Sequence, residues 1–322
     1  MNKSDLKIIF LGTPEFAVCS LDKICSSGFN VVAVVTMPDK PAGRGHHLYQ
    51  SPVKEYALAH NLPVLQPVSL KDEAFVEQLR SYGADLFVVI AFRMLPKVVW
   101  KMPRLGTFNL HASLLPDYRG AAPINWAVIN GEKKTGVTTF FLKHEIDTGD
   151  IISQQAIDIK DDENVGSVHD RLMELGAKLT IDTLDQIISG TLVTTPQSNL
   201  IKEGVEPKSA PKIFKETCKI DFNKPVKDVY NLIRGLSPYP TAYIDICDDT
   251  NSSPRQMKIF ESKIIQDGDK LIPGSIEICG DKMYIGATDG KIMLLEIQMQ
   301  GKKRMSIADF LRGAKLINPK LA

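Results

Sequence analysis

Two polar residues, Asn109 and His111, lie two positions apart in a stretch that alternates apolar and polar side chains. On a β-strand such residues project from the same face, so the amide and the imidazole would point the same way. Both groups can donate a hydrogen bond to one substrate oxygen. This pair suits a reaction in which negative charge grows on a carbonyl oxygen under nucleophilic attack. The alternative is structural, with a core histidine and an asparagine that holds loop backbone.

The residues after His111 end the strand pattern and predict an irregular loop. Residues 113–123 contain two prolines, an arginine and a glycine, and they show no periodicity. A polar pair at the end of a strand, followed by such a loop, is where α/β proteins build their sites. We therefore expect a functional site at this strand end.

A second group that could take part is Asp147, in the sequence HEIDTGD at residues 144–150. It follows a strand-like segment, GVTTFFL, at residues 136–142. If the two strands are neighbours, this carboxylate lies at the same sheet edge as His111, where it would orient the imidazole and favour its protonated form. Asp and Gly are also common in plain turns, so a simple hairpin connection is the alternative.

The elements that position these residues read as an α/β fold. Lys7–Gly12 (KIIFLG) is interpreted as a buried strand, a helix begins near Pro14, and residues 31–36 (VVAVVT) are interpreted as a second buried strand. A strand, helix and strand of these lengths predict a βαβ unit and a parallel sheet. The glycine pattern G-x-G-x-x-G is absent, which disfavours nicotinamide binding. Residues 37–51 show no periodicity and predict a long loop.

The chain of 322 residues is long enough for two domains. Residues 190–211 are polar and irregular and contain three prolines, which indicates a linker. Several short strand-like runs with turn residues between them follow, and they predict a small β-barrel. We expect a catalytic domain at residues 1–189, the linker at 190–211 and the barrel domain at 212–322.

Composition excludes several classes of protein. The net charge of +1 argues against a nucleic-acid protein that works by bulk electrostatics alone. No apolar run approaches the roughly 18 residues that span a bilayer, and the N-terminus lacks a signal-peptide cleavage site. The five cysteines show neither metal spacing nor a disulfide framework, and no base motif accompanies any of them. We expect a cytoplasmic monomer without a metal.

The pattern NxHxSLLPxYRG at residues 109–120, with IDTGDI at residues 146–151, resembles the signature of folate-dependent formyltransferases. The resemblance implies a Rossmann-like domain with a mostly parallel sheet, followed by a smaller OB-like barrel that contacts RNA. It also implies that 10-formyltetrahydrofolate is the formyl donor and that no metal takes part. The residues that it marks are a catalytic trio and a folate-binding loop: Asn109, His111 and Asp147, and Ser113, Leu114, Leu115 and Pro116.

Three further segments resemble the branch of that family whose acceptor is initiator methionyl-tRNA. They are FLGTPEFA at residues 10–17, DKPAGRG at 39–45, and APKI at 210–213 together with IRGLSPYP at 233–240. The resemblance implies that Lys40 and Arg44, on the glycine-flanked loop, contact the tRNA acceptor end. A basic run at residues 302–304 is a second candidate for tRNA contact.

Four functions stay open on the sequence alone. The leading one is formylation of the α-amine of methionyl-tRNA, with Asn109 and protonated His111 stabilising the formyl oxygen and Asp147 tuning His111. A formyltransferase acting on a small amine, such as glycinamide ribonucleotide or an amino-sugar nucleotide, would keep the same trio. A formyltetrahydrofolate hydrolase would use water instead of an amine. A non-catalytic RNA-binding protein with a degenerate folate site is disfavoured by the intact trio.

Overall fold

A computed structural model describes residues 1–42, 47–266, 271–314 and 316–322. The chain folds into two compact units. The first unit comprises residues 1–120, 136–157 and 170–209, and the second comprises residues 121–135, 158–169 and 210–322.

The first unit is built on a mixed, mostly parallel sheet of seven strands. The strands are β1 (Lys7–Gly12), β2 (Asn30–Val35), β5 (Val64–Leu65), β6 (Leu86–Ile90), β7 (Thr107–His111), β9 (Lys134–Phe141) and β10 (Ile151–Asp158). Their order across the sheet is β10-β9-β7-β6-β1-β2-β5. β1 pairs in parallel with β2 and β6, β2 with β5, and β6 with β7, whereas β7 and β9 are antiparallel. The α/β class predicted from the sequence is confirmed.

Continuous burial of β1 and β6 explains why both read as unbroken apolar runs. Every residue of β6 is buried, and only Lys7 of β1 is exposed. A parallel strand is covered by helices on both faces, so its side chains are apolar in both directions. The helices of this unit are α1 (Glu15–Ser26), α2 (Pro52–Ala59), α3 (Glu73–Ser81), α4 (Lys97–Trp100) and most of α6 (Val165–Ser189).

Strand β7 owes its close packing against α6 to one glycine. A Cβ at Gly176 would lie 2.7 Å from Cδ2 of Leu110, closer than side chains approach one another. The missing side chain lets the helix lie directly on the strand that carries Asn109 and His111. The strand is thereby held from one face, and its neighbours β6 and β9 hold it from both edges.

The prediction of an irregular loop at residues 37–51 is wrong in part. β3 (Lys40–Ala42) and β4 (His47–Tyr49) pair as antiparallel strands, with Lys40 opposite Tyr49. Strands of three residues are too short to produce a visible alternation in the sequence, which explains why the pattern gave no signal. We call this pair of strands the β3–β4 hairpin.

A further short ladder joins β8 (Arg119–Gly120) to β11 (Ser209–Ala210). β8 belongs to the loop that follows β7, and β11 comes from the segment that was expected to connect two domains. The same segment forms an isolated antiparallel bridge between Thr195 and Ile151 of β10. Residues 190–209 therefore follow the surface of the first unit and make backbone contacts with it.

The second unit contains an antiparallel, barrel-like sheet and three helices. Its elements are α5 (Pro123–Ile129), α7 (Val226–Leu236), β12 (Ala242–Asp248), β13 (Asn251–Ile265), β14 (Ile276–Cys279), β15 (Lys282–Gly286), β16 (Lys291–Met299), β17 (Met305–Ser306), α8 (Ile307–Gly313) and β18 (Lys320–Leu321). The strand order is β14-β15-β16-β13-β12-β18, and β17 pairs with β16. The core consists of apolar side chains from the sheet and from the amphipathic helix α7, including Val229, Ile233 and Leu236. This agrees with the predicted barrel fold.

Candidate active site

Asn109 and His111 lie within the last three positions of β7 and, being two apart, share one face of the strand. Asn109 is half-buried and His111 is only 7% exposed. Within the described part of the chain, no group hydrogen-bonds to the side-chain amide of Asn109. Its N–H groups are therefore available to a ligand oxygen.

The imidazole of His111 is held by backbone from the loop that follows its own strand. Its Nε2 lies 2.8 Å from the carbonyl oxygen of Tyr118. A carbonyl can only accept, so Nε2 carries the proton in this contact. The other ring nitrogen, Nδ1, lies 3.8 Å from Oδ2 of Asp147. The ring orientation is therefore fixed by Tyr118, a contact that the sequence did not reveal.

Asp147 lies in the loop after β9 and comes close to His111, but not for the reason that the sequence suggested. β9 is antiparallel to β7, with Phe141 opposite Phe108, so the loop begins beside the start of β7 and folds back to bring Asp147 to His111. Oδ2 of Asp147 accepts a hydrogen bond of 3.0 Å from the backbone N–H of Gly120. Its side chain is 13% exposed. A Cβ at Gly149 would lie 1.6 Å from the carbonyl oxygen of Phe141, so only glycine lets this loop fold back onto the end of β9. The carboxylate thus lies beside the imidazole and adds negative charge to a partly buried site.

The predicted folate loop is organised by the neighbouring strands. Ser113 donates to the carbonyl of Asp117 at 2.7 Å, and the hydroxyl of Thr138 on β9 donates to the carbonyl of Ser113 at 2.6 Å. Gln154 of β10 donates to the carbonyl of Leu115 at 2.8 Å. Ser113 and Leu115 are buried, whereas Leu114 and Pro116 are partly exposed. These hydrogen bonds hold the loop in place next to Asn109 and His111, and Leu114 and Pro116 are its apolar side chains that reach solvent.

Gln197 is the residue of this region that sequence reasoning missed. Its amide nitrogen donates to the backbone carbonyls of Asp147 and Gly149, each at 2.8 Å. Its amide oxygen accepts from Nε and Nη2 of Arg119 at 3.1 and 2.6 Å. The only signal was a proline-flanked polar residue in a segment interpreted as a linker. Arg119 thus has a structural partner in this region.

Residues with a positive φ angle gather at this edge of the sheet. Tyr118 has φ +62° and Asp147 has φ +54°, and Ala91, which follows β6, has φ +47°. For residues other than glycine, a backbone with positive φ is energetically costly, and such residues concentrate at functional sites. Two of the three are the residues whose atoms contact His111.

The candidate tRNA-contacting residues lie on the β3–β4 hairpin and the segment between its strands. Lys40 is exposed, whereas Arg44 lies outside the described residues. The base of the hairpin is anchored by Asp39, whose Oδ2 lies 2.6 Å from Nζ of Lys54 and whose Oδ1 accepts from Gln66 at 2.7 Å. Two hydrogen bonds lower the pKa of Asp39 below its ordinary value; the larger contribution comes from Lys54 and the smaller from Gln66.

In the second unit, Arg304 of the basic run at residues 302–304 contacts two neighbouring side chains. It pairs with Glu296, and its guanidinium lies 4.2 Å from the centre of the Phe260 ring. This charge is partly neutralised by its partner, so the run offers less free positive charge than the sequence suggested.

Three of the five cysteines have environments that disfavour a nucleophilic thiolate. Burial raises the pKa of Cys19, Cys25 and Cys218, so these thiols hold their protons more firmly than an ordinary cysteine. No group of three or more His, Cys, Asp or Glu in the described ranges could hold a metal ion. In the same ranges, no helix is long and apolar enough to cross a membrane.

Comparison with known proteins gives matches along almost the whole chain. The family model described as formyl transferase matches residues 6–184, and that of the formyl transferase C-terminal domain matches residues 212–315. The methionyl-tRNA formyltransferase of Bacteroides fragilis is 56% identical over 317 residues, which cover 98% of this chain and 97% of that protein. The methionyl-tRNA formyltransferase of Flavobacterium johnsoniae is 52% identical over 308 residues, 96% of each chain.

Solved structures share the fold at lower identity. An N-formyltransferase from Helicobacter canadensis, in complex with folinic acid and dTDP-3-aminofucose, gives a TM-score of 0.66 at 20% identity and covers 93% of this chain and 100% of that chain. HypX from Aquifex aeolicus, in complex with tetrahydrofolic acid, gives a TM-score of 0.63 at 19% identity and covers 96% of this chain and 47% of that chain.

Proposed function

The chain belongs to the formyl transferase family, and we propose that it transfers the formyl group of 10-formyltetrahydrofolate to the α-amino group of initiator methionyl-tRNA. The observation that supports the reaction type is the pairing of His111 with Asp147 at 3.8 Å, on a strand that also carries Asn109 on the same face. The acceptor is supported by relatives of 52% to 56% identity that are named methionyl-tRNA formyltransferases.

In the proposed reaction the neutral α-amine attacks the formyl carbon. A new C–N bond forms, the bond from the formyl carbon to N10 of the folate breaks, and N10 takes up a proton. Negative charge grows on the formyl oxygen in between. The free amide of Asn109 donates a hydrogen bond to that oxygen, and the positive charge of protonated His111 stabilises it.

Asp147 has two roles in this proposal. Its carboxylate, with Oδ2 3.8 Å from Nδ1 of His111, stabilises positive charge on the imidazole because the pair lies largely out of solvent. The same carboxylate can also accept the amine proton, which a water molecule relays to it. The proposed reaction uses no thiol nucleophile, and burial raises the pKa of the Cys19, Cys25 and Cys218 thiols.

The two substrates are assigned to different elements. The folate donor lies against Ser113, Leu114, Leu115 and Pro116, and the partly exposed side chains of Leu114 and Pro116 offer it apolar surface. Lys40 and Arg44 bind phosphates near the acceptor end of the tRNA. The monomeric state and the cytoplasmic location stay predictions.

The test is a formyl-transfer assay with purified full-length protein, 10-formyltetrahydrofolate and separate acceptors. Formylation of methionyl-tRNA, with no reaction on uncharged tRNA, glycinamide ribonucleotide or an amino-sugar nucleotide, is the expected result. Activity on only a small amine would overturn the acceptor assignment. Release of formate without any acceptor product would indicate a hydrolase, and absence of all turnover would indicate a binding protein.

A further inference from the structure

Gln197 is a buried residue whose side chain joins the two loops of the candidate active site. It is 3% exposed and begins a short 3-10 helix, Gln197–Leu200, in the segment after α6. One end of its amide contacts the loop after β7 through Arg119, and the other contacts the loop after β9 through the carbonyls of Asp147 and Gly149. The proposed reaction has assigned it no role.

The hydrogen bonds fix the orientation of this amide. Both N–H groups donate to carbonyls, and the oxygen accepts twice from a guanidinium. Both donors and both acceptor lone pairs of the amide are therefore in use. The reverse orientation would direct the NH₂ group at the guanidinium of Arg119 and the oxygen at two carbonyl oxygens. Donor would then face donor at Arg119, and acceptor would face acceptor at the two carbonyls. The observed orientation of the amide is therefore the favourable one.

The carbonyl that Gln197 holds belongs to a residue in a costly backbone conformation. Asp147 has φ +54°, and such a conformation persists only when its surroundings hold it in place. The side chain of the same residue accepts from Gly120 and lies 3.8 Å from His111. If the carbonyl is released, the backbone can relax, and the carboxylate moves away from the imidazole.

We infer that Gln197 is a positioning residue, which holds Asp147 in the geometry required to act on His111. This inference rests on the proposed catalytic role of Asp147. Gln197 itself touches neither substrate nor imidazole in this account. It acts through the backbone of Asp147, and Arg119 aligns it from the opposite side.

The variant that tests this inference is Gln197→Glu. Glutamate has the same shape and keeps an acceptor for Arg119, but it replaces the donor to the carbonyls of Asp147 and Gly149 by a second oxygen. We expect kcat for formyl transfer to fall about 100-fold, the loss that a displacement of about 1 Å in a catalytic group causes. KM for methionyl-tRNA should change little. Gln197→Met, an uncharged replacement of similar length, should give a loss of the same order.

The matched control is Gln186→Met in α6. Gln186 is a partly buried glutamine of the same unit, and the recorded hydrogen bond of its side chain is to the hydroxyl of Ser153 in β10 at 3.1 Å. It should keep the wild-type kcat. Thermal unfolding of all variants shows whether each is folded at the assay temperature.

A combination with Asp147→Asn separates positioning from general damage. If Gln197 acts through Asp147, adding Gln197→Glu to Asp147→Asn should lower kcat by no more than about threefold further. The pH profile of kcat for Gln197→Glu should approach that of Asp147→Asn. A full 100-fold additional loss in the double variant, or wild-type kcat in the folded Gln197→Glu protein, would overturn the inference.

Hydrogen exchange gives a readout that does not depend on turnover. The backbone N–H of Gly120 is protected by the carboxylate of Asp147. Gln197→Glu should accelerate its exchange, and Gln186→Met should not. If the wild-type protein does not formylate methionyl-tRNA but Gln197→Glu still accelerates exchange at Gly120, the proposed function is rejected and the positioning role is retained. Unchanged exchange at Gly120 would reject the positioning role whatever the activity.

Discussion

The polar groups of the two active-site loops are hydrogen-bonded within the protein, whereas Lys40 on the β3–β4 hairpin is exposed to solvent. In the loops after β7 and β9, the carbonyl of Tyr118 and the amide of Gly120 have partners inside the first unit, and the carbonyl of Asp147 accepts from the side chain of Gln197. On the hairpin, Lys40 is exposed, and the described anchoring contacts lie at the base of the hairpin, through Asp39.

This difference reflects two kinds of chemistry. Stabilising a growing charge on one oxygen requires donors fixed before the reaction, because donors that must reorganise lose most of their benefit. Attracting a polyanion requires only positive charge that the polyanion can reach. We therefore expect substitutions in the loops to lower kcat steeply and substitutions on the hairpin to weaken use of tRNA modestly.

The largest effect is expected from His111→Ala. The variant loses the imidazole whose charge stabilises the formyl oxygen, so kcat should fall by roughly 100- to 10,000-fold. Turnover of methionyl-tRNA under saturating folate is the measurement, with circular dichroism to check folding. A folded variant with a near-normal rate would remove His111 from the mechanism.

Asp147→Asn comes next, because it keeps the shape and an acceptor for Gly120 while removing the negative charge. We expect a loss in kcat of about 100-fold. Turnover of methionyl-tRNA under saturating folate is again the measurement, with circular dichroism to check folding. A folded variant that keeps the wild-type kcat would show that Asp147 does not act on His111.

On the hairpin, Lys40→Ala should have a smaller effect of a different kind. KM for methionyl-tRNA should rise several-fold, and the slope of log affinity against log salt should decrease by about 1, with kcat and folate binding unchanged. Arg44→Ala should act in the same direction. Lys71→Ala, which removes an exposed charge elsewhere in the unit, is the control. Equal tRNA affinity of Lys40→Ala and wild type at moderate salt would contradict the hairpin assignment.

The smallest effect concerns the anchor of the hairpin. Lys54 and Gln66 lower the pKa of Asp39 from its ordinary value of 3.8, so the ionised form is favoured in the folded protein. The resulting stabilisation is present above pH 3.8 and is lost as the pH falls through the lowered pKa. Urea unfolding of wild type and Asp39→Asn should therefore differ near neutral pH and converge in acid. A difference that persists unchanged in acid would reject this pair as its source.

Local patterns in the sequence were enough to predict part of the site. The apolar runs of β1 and β6 indicated the buried sheet, and the alternation before His111 indicated the strand that carries the polar pair. Asp147 was correctly expected near His111, although the antiparallel pairing of β7 and β9 means that the loop must fold back to reach it. Each inference used residues close together in the chain, where periodicity carries information.

The remaining parts depend on contacts between distant residues and on backbone atoms. Gly120 and Asp147 are 27 residues apart, and Gln197 lies 50 residues from Asp147. Backbone carbonyls and amides are the same in every residue, so no residue type marks the groups that hold His111 and Asp147. The β3–β4 hairpin escaped prediction for a different reason, since its strands have only three residues each.

The central claim is that Asn109, His111 and Asp147 converge on the formyl group of the donor. A crystal structure of the protein with 10-formyl-5,8-dideazafolate, a stable analogue of the donor, tests it directly. We predict that the formyl oxygen lies within about 3.2 Å of the side-chain nitrogen of Asn109, with His111 beside it and the folate ring system against residues 113–116. A formyl group bound away from the end of β7, without contact to Asn109 or His111, would contradict the account.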